Sequence, residues 1–97
     1  MKGETRTKVN YNESTMEMME DVYTLMLIND EVNTFDYVID NLMELCHHTY
    51  EQAFQCAWIT HCYGKCDIMH GNYSKLKRIA DIMTERGLTV KIIADLC

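Results

Sequence analysis

The apolar run Val22-Tyr23-Thr24-Leu25-Met26-Leu27-Ile28 ends abruptly in Asn29-Asp30, and that break constrains how the rest of the chain can fold. β-branched and large apolar residues fit the run to a strand, and Asn-Asp stops it with turn chemistry. Asn33 or Thr34 then caps a helix whose first turn carries Asp36, a charge favoured by the N-terminal dipole. Phe35, Val38, Ile39, Leu42, Met43 and Cys46 obey the i, i+3, i+4, i+7 spacing of an amphipathic helix.

His47-His48 breaks that pattern. Thr49 with Gln52 makes a capping box for a second helix, with Tyr50, Ala53, Phe54, Ala57 and His61 on one face and Trp58 and Cys62 flanking it. Gly64 is placed to stop this helix at C′. Cys66–His70 reads as a short strand and Gly71-Asn72 as a turn. Ser74–Arg86 is a third helix with Leu76, Ile79, Ala80, Ile82 and Met83 inward, closed by Gly87, and Thr89–Ile93 is a last strand. The order β-α-α-β-α-β predicts a small α+β sandwich, three helices packed on a short antiparallel three-stranded sheet.

Ninety-seven residues are enough for one domain and one core. Residues 1–20 lack apolar periodicity and read as a flexible arm in which Met16, Met18 and Met19 offer at most a weak helical turn; residues 21–97 read as the folded core. No apolar h-region comes after the polar start, and no run approaches membrane-spanning length, so the expected location is the cytoplasm. Five cysteines (Cys46, Cys56, Cys62, Cys66 and Cys97) are an odd number, read without a secretory signal as free thiols. A net charge of −6 argues against nucleic-acid partners, which need clustered Lys and Arg. The one basic cluster, Lys75, Lys77 and Arg78, reads as a solvated helix face.

The helix–turn constellation places acceptors at the mouth of an apolar seam. A terminal ammonium has a reference pKa of about 7.7–8.0 and is largely charged at neutral pH. It needs two or three acceptors, one of them preferably anionic. Asn29 offers an amide oxygen, Glu31 a carboxylate, and neutral His61 a ring nitrogen. His61 also sits in the last turn of its helix, where free carbonyls favour a cation. Leu27, Phe35, Val38, Ala57 and Thr60 are placed to line a side-chain pocket beside these acceptors. Taken singly, each of these residues has an ordinary reading too, as a turn, a helix cap or a core position.

Two segments carry a family resemblance. Asn29-Asp30-Glu31-Val32-Asn33-Thr34-Phe35-Asp36-Tyr37-Val38 resembles the Asn-Asp-Asp-x-Thr-Pro-Met-x-x-Val segment of the ClpS family, and His61-Cys62-Tyr63-Gly64-Lys65 matches its His-x-x-Gly-Lys. The separation from Asn29 to His61 fits the family spacing without a gap, and the resemblance covers roughly residues 23–93. It implies an adaptor of the Clp AAA+ protease that binds the free α-amino group and bulky first residue (Phe, Leu, Tyr or Trp) of N-degron substrates. The resemblance also implies delivery to a Clp ATPase through contact with its N-terminal domain, without cofactor or covalent chemistry. By the same resemblance the α-amino contacts fall on Asn29, Glu31 and His61, and the pocket on Leu27, Ile28, Asn33, Phe35, Val38, Ala57, Thr60 and Val90. Residues 1–20 would be the arm engaged by the unfoldase, and Lys75 a candidate docking lysine. Glu31 replaces the family's second Asp, and Asn33-Thr34-Phe35 replaces Thr-Pro-Met, whose Met gates against β-branched first residues. Ala57 stands where a bulky residue is common. A reshaped pocket with an altered ranking of first residues is expected.

Three rivals remain open. The same fold could keep its interaction surfaces with the pocket closed by Phe35. His61, Cys62, Cys66 and His70 are close enough in sequence to suggest zinc, although no tight Cys-x-x-Cys pair exists. A cysteine hydrolase would use Cys62 or Cys66 with His61 or His70, but adjacent helix positions point apart, so His61 is badly placed to activate Cys62. The chain is expected not to be an enzyme.

Overall fold

The computed structural model describes residues 22–94. The expected arm, its Met16, Met18 and Met19, and Cys97 lie outside the described residues. The elements are β1 (Tyr23–Ile28), α1 (Phe35–Cys46), α2 (Tyr50–Tyr63), β2 (Lys65–Gly71), α3 (Tyr73–Glu85) and β3 (Val90–Ala94). This is the β-α-α-β-α-β order, with the strands antiparallel in the order β2-β1-β3. The register pairs Leu27 with Cys66 on one side and with Val90 on the other, and a bulge interrupts β1–β2 pairing between Leu25 and Met26.

Leu25 and Leu27 of the central strand, Leu42 of α1, and Leu76 and Met83 of α3 are fully buried in one core. Every helix begins on a side-chain cap. Thr34 accepts from the Tyr37 amide, Thr49 and Gln52 form the full capping box, and Asn72 accepts from the Lys75 amide. Of the two candidate caps for α1, Thr34 is therefore the one used. α1 ends on His47 in the left-handed region (φ 59°), at the break that the His47-His48 pair predicts. The last helix is one residue earlier at each end than expected, because Asn72 rather than Tyr73 provides its cap.

Two packing expectations are corrected. Met43 is exposed, because α1 buries the narrower stripe of Ile39, Leu42 and Cys46 together with Asn41. Asn41 is tolerated there because its Nδ2 donates to the Tyr37 carbonyl and its Oδ1 accepts from Arg86 Nη1. On α2 the buried residues are Ala53, Ala57 and Thr60, while Tyr50, Phe54 and Trp58 face outward. The inner stripe is filled by these small side chains, and the aromatic rings lie along the outer side of the helix, with Tyr50 stacked on Phe54.

Candidate functional site

A cavity of about 60 Å³ opens where the end of β1 meets the ends of α2 and α3. Backbone bonds build it. The Ile28 amide donates to the Thr89 carbonyl at 2.9 Å and the Asn29 amide to the Gly64 carbonyl at 2.9 Å. These bonds hold the strand end against both the entry to β3 and the C-terminus of α2. Gly64 ends α2 with φ 94°, its amide donating to the Thr60 carbonyl, so the helix stops three residues past His61 and leaves that ring at the opening.

Apolar walls come from Leu27, Phe35, Val38, Ala57 and Leu88, with Thr60 between them. The Thr60 hydroxyl donates back to the Cys56 carbonyl at 2.7 Å, so it is satisfied within the helix and brings no free donor to the cavity. Phe35 stands edge-on to three rings at once, with centroids 6.1 Å from Phe54, 6.0 Å from Trp58 and 5.8 Å from His61. Its ring is therefore held between the cavity and the outer face of α2.

The polar end of the cavity is a turn organised by Asp30. One carboxylate oxygen accepts from the Val32 amide at 3.0 Å and the Asn33 amide at 3.1 Å, and the Asn33 side-chain amide donates to both oxygens. Thr89 Oγ1 adds a bond at 3.3 Å. Desolvation pushes this carboxyl up, but the bonds from Asn33, Val32 and Thr89 outweigh it and hold the group below the ordinary Asp value of 3.8. Asn33 Nδ2 also reaches the Gly87 carbonyl at 2.9 Å, so the turn is clamped to the end of α3.

Of the residues singled out in the sequence, Asn29 and His61 come together with Leu27, Ile28, Asn33, Phe35, Val38, Ala57 and Thr60 around this cavity. Glu31 is set further out, on an open trough that continues from the mouth past Asn29, Asp30, Phe35 and His61. Val90 is not among the lining residues. It sits in β3 opposite Leu27 and packs on the core, and the wall there is Leu88. Lys75 lies in the first turn of α3, outside the cavity lining. Sequence reasoning misses Asp30 and Leu88 as site residues. The available signal for Asp30 is its place in an Asn-Asp turn, where Asp side chains bind backbone amides two and three residues on.

The zinc reading does not assemble. Cys66 and His70 lie toward opposite ends of β2, and His70 Nδ1 is bonded to Thr24 Oγ1 at 2.9 Å, away from His61. Among the described residues no three or more His, Cys, Asp or Glu side chains are grouped to hold a metal ion. Nor is there an activated thiol in β2. Burial pushes Cys66 up to about 12, with the Cys56 thiol and Asp67 adding to the effect, and burial pushes Cys46 up to about 11. No helix of the described residues is long and apolar enough to cross a membrane.

The fold and site define an α+β domain with an apolar cavity and a mouth lined by Asn, Asp and His. The family model described as "ATP-dependent Clp protease adaptor protein ClpS" matches residues 18–91, and the chain belongs to that family of Clp protease adaptors. The structure is similar to that of Agrobacterium tumefaciens ClpS2 bound to L-phenylalaninamide, with a TM-score of 0.69 and 17% identity, covering 78% of this chain and 99% of that one. At that identity the likeness establishes the fold. No curated protein matches the sequence.

Proposed function

We propose that this Clp protease adaptor captures the free α-amino group and the bulky first side chain of N-degron substrates and delivers them to a Clp ATPase. The observation that carries the reading is the union of an apolar cavity with an acceptor-lined mouth at one point of the fold. Asn29 and His61 take hydrogen bonds from the ammonium, and Glu31, on the adjoining trough, contributes its carboxylate. Asp30 shapes the turn and adds negative charge behind it. The first side chain enters between Leu27, Phe35, Val38 and Ala57. Burying a Leu or Phe side chain contributes about 1.5–3 kcal/mol. The ClpS2 structure is bound to L-phenylalaninamide, a molecule with both a free α-amine and a benzyl side chain. Lys75, exposed on α3, is the candidate contact for the N-terminal domain of the ATPase.

Binding of fluorescent peptides that start with Phe or Leu, compared with Ala-initiated and N-acetylated versions, tests this. Tight binding that requires both the bulky residue and the free amine supports the reading. One observation favours a second reading. The cavity of about 60 Å³ is well below the roughly 150 Å³ of an apolar cavity that accepts benzene, and Phe35 is the ring that narrows it. An adaptor fold with a closed pocket would bind none of these peptides and would still bind the ATPase.

A further inference from the structure

Two thiols meet where α2 lies on β2, away from the cavity. Cys56 projects from the middle of α2 and Cys66 from the start of β2. Both sulfurs donate to one acceptor, the Asp67 carbonyl, Cys66 at 3.4 Å and Cys56 at 4.0 Å. They also hydrogen-bond to each other. The strand register accounts for the meeting. Cys66 pairs with Leu27 of the buried central strand and shares its face, towards the helices, while Lys65 beside it pairs with Ile28 and takes the opposite face. Cys46 is buried at the end of α1, and Cys62 is exposed further along α2.

The two thiols are not equivalent. Cys56 lines an open trough between the start of α2 and β2, together with Glu51 and Asp67, and Cys66 is not in that lining. Small solutes therefore meet Cys56 first. Burial raises both thiols, but their mutual hydrogen bond lowers Cys56 and raises Cys66. Cys66 thus acts as donor to the Cys56 sulfur, and Cys56 is the one that ionises first. The neighbouring charges of Cys46 and Asp67 act the other way on Cys56. Carboxylates in the trough repel anionic oxidants, such as the disulfides of acidic peptides, whereas a small neutral peroxide enters without that penalty. His48, in the same lining, is engaged through Nε2, which donates to the Ile68 carbonyl at 2.9 Å.

We propose that Cys56 and Cys66 form a peroxide-oxidised pair that closes to a reversible disulfide and fastens α2 to β2. The Cys56 thiolate attacks one peroxide oxygen, the O–O bond breaks, and the departing hydroxide takes up a proton to become water. The sulfenic acid left on Cys56 is then attacked by the Cys66 sulfur. The S–S bond forms, the S–O bond breaks, and a second water leaves with the Cys66 proton. Two thiols are oxidised to one disulfide and one peroxide is reduced to two waters. A dithiol reductant reverses the change by exchange. The loop so closed runs from residue 56 to residue 66 and contains Thr60, His61 and Gly64, so the bond braces the end of α2 against the sheet. Nothing in this depends on what the cavity binds.

The test treats the reduced full chain with hydrogen peroxide, blocks the remaining thiols with N-ethylmaleimide, and digests with trypsin and chymotrypsin. Cuts after Tyr50, Phe54, Trp58, Tyr63 and Lys65 place Cys46, Cys56, Cys62 and Cys66 on separate peptides. The expected product is a monomer lighter by two hydrogens, with the Cys56 peptide joined to the Cys66 peptide, a raised Tm, and full reversal by dithiothreitol. Because thiolate is scarce, the rate of closure should rise about tenfold from about pH 7 to about pH 8. Cys66→Ser is expected to stop at a sulfenic acid on Cys56 that dimedone traps, and Cys56→Ser to leave Cys66 reduced over the same period. Circular dichroism of the two reduced variants reports that they are folded. A disulfide that uses Cys62 or Cys97, a covalent dimer, or a Cys56 still reduced once Cys62 is oxidised overturns the pair. Absence of the dimedone adduct in Cys66→Ser, where the wild type closes, overturns Cys56 as the attacking sulfur.

Discussion

The Asn29 amide donates to the Gly64 carbonyl at 2.9 Å, across 35 residues of chain. This one bond explains why two motifs distant in sequence share one site. Asn29 ends the central strand, and Gly64 ends the helix on which His61 occupies the last turn. Holding the two ends together places Asn29 and His61 side by side in the cavity lining.

Gly64 makes that bond at φ 94°, a region costly for residues with a Cβ. A Cβ there would meet nothing within 4 Å, so the penalty of Gly64→Ala is conformational rather than steric. Destabilisation of about 1 kcal/mol is expected, which for a domain of this size lowers Tm by about 4–8 °C. Peptide affinity should fall as well, because the Asn29 loop moves with the helix end. A Tm and an affinity both unchanged would show that the loop is held by other contacts, chiefly the Asp30 network.

Phe35 is expected to set the order of preferred first residues. Forcing a large ring into a site that lacks the volume costs about 1–3 kcal/mol, so Leu peptides should bind at least about fivefold tighter than Trp peptides. Phe35→Met replaces a ring fixed by three aromatic neighbours with a side chain that repacks easily. That variant should narrow the gap between Leu and Trp. Fluorescence anisotropy with both peptides on both proteins decides it, and an unchanged ratio would remove Phe35 as the discriminating residue.

Scale decides which parts of the fold are legible in the sequence. The strand stop at Asn29-Asp30, the Thr49–Gln52 box, Gly64 and Gly87 are local signals whose physics is complete within a few residues, and each marks a real boundary. The inward face of α2 is misleading in the sequence because Tyr50 and Phe54 have the right spacing for a core. Which face turns inward is decided by tertiary packing, which buries Ala53, Ala57 and Thr60 and leaves Tyr50 and Phe54 exposed. For the same reason, spacing cannot tell Val90 from Leu88. They stand two residues apart at the entry to β3, and the cavity wall depends on where the chain turns after Gly87. Asp30 escapes notice because its role is to hold other site residues, which spacing alone does not reveal.

The thiols should separate by environment. Cys62 is exposed, Cys46 is buried, and burial pushes Cys46 and Cys66 up to about 11 and about 12. Because the thiolate is the nucleophile, alkylation at about pH 8 should label Cys62 far faster than Cys46 or Cys66. Peptide mapping after a short iodoacetamide pulse reads this directly. Denaturation should equalise the rates, since the protection belongs to the fold. Rapid labelling of Cys66 in the native protein would mean that the α2–β2 contact opens on the timescale of the pulse.

Asp30 gives the protein an acid-sensitive element whose sign is fixed by its bonds. Its folded value lies below 3.8 because the amides of Asn33 and Val32 favour the carboxylate more than desolvation disfavours it. A group depressed in this way contributes its stability in full above the unfolded value and loses it as the pH falls through the folded one. The stability difference between the wild type and Asp30→Asn should therefore be flat from about pH 8 to about pH 5 and shrink only below about pH 3.8. Urea unfolding of both proteins across that range measures it. Asparagine keeps an acceptor for the Val32 and Asn33 amides but cannot accept the Asn33 side chain on a second oxygen. The variant should consequently fold while its Asn33–Gly87 clamp loosens. A difference that already declines between about pH 7 and about pH 5 would place the responsible group elsewhere, on a histidine rather than on this carboxylate.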